Sequence, residues 1–172
     1  EKPVQPRVEI GVDAYLPEDY IQDGLTRIGM YQRIARISSS AEVESVRQEL
    51  VDRFGELPVP ANMLLLVTEI GLHAGRLRMQ GLQQRKGILV ATFVEFPPIE
   101  TRVRGEIAGK STCPMRYVGT SPLQAVFELG TAPAETLAER IAELFRQFAD
   151  ITPTPAKAEP ANPLFRDTNI LN

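Results

Sequence analysis

The stretch from Ser38 to Gly81 constrains this chain most, because two apolar stripes of helical period stand on either side of one stop signal. Ser39 and Glu42 match a capping box, in which each side chain takes up a backbone N–H left free at a helix start. Val43, Val46, Leu50 and Phe54 then recur on one helix face. Gly55 closes that helix, since glycine takes a positive φ without strain. Leu57-Pro58-Val59-Pro60 forms a rigid link, and Pro60 suits a first helical turn. A longer helix is predicted over 60–80, lined by Met63, Leu64, Leu66, Val67, Ile70, Ala74 and Leu77 and ended by Gly81.

The flanks add strands and two more helices. Val8 to Val12 alternates as a strand does, and Ala14-Tyr15-Leu16-Pro17 leaves it. A helix is expected over 23–36, with Leu25, Ile28, Tyr31 or Gln32, and Ala35 on its apolar side and Arg27, Arg33 and Arg36 outward. Beyond Gly81, strands at 82–85 and 88–93 flank Lys86-Gly87, a tight-turn pair. Phe96-Pro97-Pro98 interrupts pairing, and 101–107 and 115–118 read as further strands. Ser121-Pro122 opens a short helix to about 129, Gly130 breaks it, and 134–149 is an amphipathic helix carrying Leu137, Ile141, Leu144, Phe145 and Phe148. The fold class is therefore α+β: helices in the N-terminal half packed with a small, mostly antiparallel sheet, and a closing C-terminal helix. Residues 1–6 read as a connector, 7–150 as one regulatory or contact domain, and the Pro/Ala-rich 151–172 as an extended or disordered tail.

Composition excludes several classes. With 172 residues and 43% hydrophobic content, the chain can build a core without metal or disulfide staples. The single cysteine, Cys113, has no internal partner, which fits a reducing compartment. No apolar run approaches the roughly 20 residues of a membrane span, and the start lacks a signal-peptide core. A soluble, cytoplasmic chain without a membrane partner is expected. The net charge of −3 is unevenly spread. Residues 1–75 balance at −5, 76–116 at +5 and 117–172 at −3.

Searches for catalytic chemistry fail on spacing. Gly105-Glu106-Ile107-Ala108-Gly109-Lys110-Ser111 has too few residues between its glycines for a phosphate-binding loop and reads as a polar loop between strands. His73, the only histidine, has no second ligand at metal spacing and reads as a helix-surface or half-buried residue. Cys113 lacks a base, and Glu18-Asp19 sits in turn-like sequence. No catalytic residue, cofactor or metal is assigned. What remains is the end of the first stripe. Asp52 falls roughly opposite the apolar residues and Glu49 about a quarter turn away, so both carboxylates are expected to be exposed. Both lie where the helix dipole disfavours negative charge by about 0.3–1 kcal/mol, with Arg53 a partial offset. A basic partner surface would reward them only in the complex.

Three runs carry a family resemblance: Val12-Asp13-Ala14-Tyr15-Leu16-Pro17-Glu18-Asp19-Tyr20-Ile21, then Arg27 to Ala35, then Glu49-Leu50-Val51-Asp52-Arg53-Phe54-Gly55-Glu56-Leu57-Pro58. In that order they resemble the C-terminal domain of bacterial transcription-repair coupling factors, across about 7–75 and again in outline at 115–117 and the last helix. The resemblance implies a cytoplasmic parent that is an ATP-driven DNA translocase. Such a parent releases stalled RNA polymerase at DNA damage and recruits the excision-repair damage-recognition protein. It further implies an autoinhibitory domain that folds back on the parent's N-terminal repair-protein-binding domain, with contact residues falling on Glu49, Asp52 and Arg53. The rival reading is a DNA-contacting accessory domain using the basic strip 76–116.

Overall fold

The computed structural model describes residues 4–153; the start of the expected connector and nearly all of the expected tail, 154–172, lie outside the described residues. The elements run β1 (Arg7–Glu9), α1 (Gly24–Ala35), α2 (Ser40–Phe54), α3 (Val59–Arg76), β2 (Met79–Arg85), β3 (Ile88–Phe93), α4 (Thr101–Lys110), β4 (Met115–Val118), β5 (Gln124–Glu128) and α5 (Ala134–Arg146). The sheet order is β1-β2-β3-β5-β4. Only β1 and β2 are parallel, with Val8 opposite Leu82; the other pairs are antiparallel. This is the expected α+β class.

Local sequence explains most elements. Ser39 accepts the Glu42 amide at 3.2 Å, and the Glu42 carboxylate reaches back to the Ser38 amide at 2.9 Å, one residue further than the expected reciprocal bond. Asp23 caps α1 by accepting the Thr26 amide at 2.8 Å. Lys86 and Gly87, both at positive φ, make the turn between β2 and β3.

Two apolar cores share one wall. In the helical half, Met30, Ile34, Val43, Val46 and Leu50 gather around Ala61 and Leu65 of α3. In the sheet half, Met63, Leu66, Ile70 and Ala74 of α3 meet Leu82, Leu89, Phe93 and Phe127 from the strands and Ile141, Phe145 and Phe148 from the C-terminal end. Helix α3 is apolar on two sides because it is buried on two sides.

Several expectations are corrected. Helix α3 stops at Arg76, since Arg78 turns to φ 65° and β2 begins at Met79, so Gly81 lies within a strand opposite Arg7. On α1 the buried residues are Met30 and Ile34; Leu25 is 82% and Ile28 54% exposed, the reverse of the expected apolar side. The stretch 101–107 is helix α4, not a strand. Val103 and Ile107 satisfy both periods, two residues through Gly105 and four along a helix, and burial of both with an Arg102–Glu106 pair at 2.8 Å decides for the helix. The near-miss phosphate motif is consequently helix, not a loop. The stretch 121–129 contains strand β5, not a helix. Ala125, Val126 and Phe127 are buried in succession, as in a strand covered on both faces, and a short apolar run has no period to reveal that. Strand β1 is shorter than 8–12, and α5 ends at Arg146 although Phe148 stays buried.

Candidate protein-contact surface

The end of α2 is built against α1 and the loop before it. Leu50 is fully buried, which fixes the rotation of the last turns and sends Asp52 and Arg53 outward. Gly55 ends the helix at φ 89°, its N–H donating to the Val51 carbonyl at 2.9 Å. Tyr20 completes the terminus: its hydroxyl shares its proton between the carbonyls of Leu50 at 3.0 Å, in the last turns, and Gly55 at 2.9 Å, just past the helix end. Its ring packs edge-on against Phe54 at 5.8 Å, and burial pushes its phenol pKa up.

The three expected contact residues are brought together but differ in state. Glu49 is half-buried rather than exposed. It pairs with Arg33 of α1 on one oxygen and with Arg53 at 3.0 Å on the other. Arg53 is exposed and lies over the Phe54 ring at 4.9 Å. Its guanidinium stands 3.8 Å from the Met30 sulfur. Asp52 is exposed, and its carboxylate has no ion-pair or hydrogen-bond partner among the described residues. The dipole cost anticipated for Glu49 is therefore offset within the domain, and remains uncompensated only at Asp52. Glu56, just past the terminus, is a second exposed carboxylate without a partner; it stands in the motif run, but outside any helical pattern that would single it out. Exposed Leu25 and Ile28 on α1, one turn apart, add apolar surface that the helical wheel assigned to the core.

The other candidates resolve into structure. His73 is buried, with its Nε2 3.7 Å from Glu69, too far for a hydrogen bond. Glu69 is held by Arg146 of α5 through two bonds of 2.8 and 3.0 Å. Cys113 is half-buried beside the Ser111 hydroxyl. Glu18 lies 3.8 Å from Arg27 in an exposed turn. Among the described residues no cluster of three His, Cys, Asp or Glu could hold a metal ion, and no helix is long and apolar enough to cross a membrane. The basic strip is dispersed and partly neutralised. Arg102 pairs with Glu106 and Glu100, Arg116 lies 3.7 Å from Glu128, and Arg104 lies over Tyr117 at 4.7 Å. Burial pushes the Tyr117 phenol up to about 12, while its hydroxyl donates to the Arg104 carbonyl at 2.7 Å.

Fold and surface together define an α+β domain with a five-stranded mixed sheet, a helical layer on α3 and a charged helix end. A family model described as the TRCF domain matches residues 10–103, more than half the chain, and the chain belongs to that family. Among similar proteins, the transcription-repair-coupling factor of Rickettsia conorii is 33% identical over 93 residues, covering 54% of this chain and 8% of the relative. That of Escherichia coli is 37% identical over 91 residues, covering 53% and 8%. That of Mycobacterium tuberculosis is 44% identical over 72 residues, covering 42% and 6%. The chain thus spans only a small part of the length of these relatives. The solved C-terminal domain of a transcription-repair coupling factor superposes with a TM-score of 0.72 at 20% identity, covering 84% of this chain and 93% of that one, so the fold is shared.

Proposed function

We propose that this domain is an autoinhibitory contact module of a transcription-repair coupling factor. Its α2 terminus would dock on the N-terminal repair-protein-binding domain of the same polypeptide, masking that surface and restraining ATP-driven DNA translocation. RNA polymerase engagement would release it. The carrying observation is Asp52, exposed and unpartnered at a helix end where negative charge is unfavourable, beside a Glu49–Arg53 pair that holds Arg53 in place. A basic patch on the partner would satisfy Asp52. Arg53 would reach a carboxylate or carbonyl, and Glu49 sets the position of Arg53.

Exposed ion pairs each contribute about 0–1 kcal/mol, so charge alone would make a weak clamp. A stronger clamp would also have to cover the exposed Leu25 and Ile28 on another side of α1 from Arg33, since fully burying one such side chain contributes about 1.5–3 kcal/mol. The sum is of a size that polymerase binding can reverse by shifting a population. The decisive variant is Asp52→Arg in the full-length parent. Glu49→Ala with Asp52→Ala has the same expected direction but also releases Arg33 and Arg53. Basal ATPase activity and repair-protein binding should both rise, with the domain's melting temperature unchanged. Wild-type ATPase and binding in Asp52→Arg would sink the reading. The DNA-contacting rival using 76–116 would instead show as salt-sensitive, sub-micromolar DNA binding by this chain.

A further inference from the structure

A second surface lies apart from Glu49, Asp52 and Arg53. It is an open groove of about 1030 Å³ between the end of α1, the outer side of α3, the turn before α4 and both ends of the described chain. Its floor is a stripe of α3, Leu64, Thr68 and Leu72 at four-residue spacing, bordered by Ile34 and Ile37 of the α1 end. One end of the groove already holds irregular main chain. Val4 lies so close to α3 that a Cβ on Gly75 would come 2.3 Å from the Val4 carbonyl oxygen, so only glycine admits this approach. One end of the groove thus already admits main chain against the helix, at Val4 and Pro6 beside Gly75.

Its charge is one-sided. Arg36, Arg76 and Arg78 line it. The Arg36 guanidinium has no hydrogen-bond or ion-pair partner among the described residues; only its backbone N–H is bonded, to the Arg33 carbonyl at 3.2 Å. Arg76 donates to the Ala149 carbonyl at 3.2 Å and Arg78 to the Phe96 carbonyl at 3.1 Å, neither to a carboxylate. The Arg78 Nε is buried without a partner. Glu100, the one acidic lining residue, stands 3.7 Å from Arg102.

We propose that this groove is a docking site for an extended peptide segment of a partner polypeptide in which apolar side chains alternate with Asp or Glu. The apolar floor would take the first, and the guanidinium forks would bind the carboxylates, a geometry arginine favours. A nucleic-acid strand fits less well: it needs a cationic track and successive stacking aromatics, whereas the one aromatic among the described lining residues is Tyr31, whose hydroxyl accepts from the Leu16 amide at 2.7 Å. The chain's own segment 154–172 carries Lys157 and Arg166 against Glu159 and Asp167, so it lacks the acidic excess the groove calls for. The inference stands independently of the clamp.

The test is an NMR titration of the full chain, ¹⁵N-labelled, with a short synthetic peptide alternating Leu or Phe with Glu. A Lys-for-Glu copy and an oligothymidylate serve as comparisons. Saturable shifts centred on Arg36, Thr68, Gly71 and Leu72 are expected. Arg36→Glu with Arg76→Glu should weaken them by on the order of tenfold while the rest of the spectrum and the melting temperature match wild type. Arg36→Gln with Arg76→Gln, without charge reversal, should give a smaller loss. Any of four results would overturn the proposal: no saturable shift at these residues, equal response to the Lys peptide, stronger response to oligothymidylate, or the same shifts arising without peptide. The last would be seen on raising the chain's concentration if a second copy occupies the groove, or in Phe165→Asp if its own segment does.

Discussion

Glu69, His73 and Arg146 show how one residue's surroundings set another's charge. Hydrogen bonds from Arg146 hold the Glu69 carboxyl below its ordinary value of 4.5. Burial holds the His73 imidazole below 6.5; attraction to Glu69 opposes this, while Arg76 and Arg146 add to it. Both groups bind protons less readily folded than unfolded, so both lower stability on acidification. For His73 the loss begins as pH falls below the unfolded value near 6.5 and grows until the folded pKa is passed. For Glu69 it begins near 4.5. Urea titrations across this range should show two successive losses, and His73→Leu should remove the upper one. Parallel losses in wild type and His73→Leu would contradict the assignment. At the end of α2, Asp52 was readable because a residue opposite a stripe faces solvent whatever lies around it. Glu49 was not, since its half-burial depends on Arg33, which arrives from another helix.

Helices divide into those whose burial their own period announces and those that need a neighbour to decide. Helix α2 is of the first kind: Val43, Val46 and Leu50 are all buried as their spacing predicts. Helix α1 is of the second. It carries apolar residues on two sides, and only its packing against α2 and the preceding loop selects Met30 and Ile34 over Leu25 and Ile28. Helix α3 is needed by both cores. Leu65, fully buried on the helical side, should cost about 2–5 kcal/mol when cut to Ala. Leu25→Ala, at 82% exposure, should change the unfolding midpoint little. A loss from Leu25→Ala as large as that from Leu65→Ala in denaturant unfolding would show that the exposed side of α1 is wrongly placed.

At the scale of the molecule, shared packing predicts a hierarchy of opening. The amides of α3 lie between both cores and should exchange with solvent only on global unfolding, whereas α1, which leaves Leu25, Ile28 and Tyr31 exposed, should open at lower free energy. Native-state hydrogen exchange that protects α1 as strongly as α3 would refute this. Local signals along the chain suffice for the capped helix α2, its stop at Gly55, the helix after Pro58, the hairpin around Lys86-Gly87, the amphipathic α5 and the α+β class. These follow from caps, turn residues and periodicity acting within a few residues. The sequence also holds the three motif runs that carry the family resemblance. Long-range packing is what makes 101–107 helix and 124–128 a strand between β3 and β4, selects the buried side of α1, and pairs Glu49 while leaving the Asp52 carboxylate unpaired. In each case the local pattern fits two conformations or two orientations nearly equally. The difference comes from which distant side chains fill the space opposite, and spacing along the chain carries no record of that.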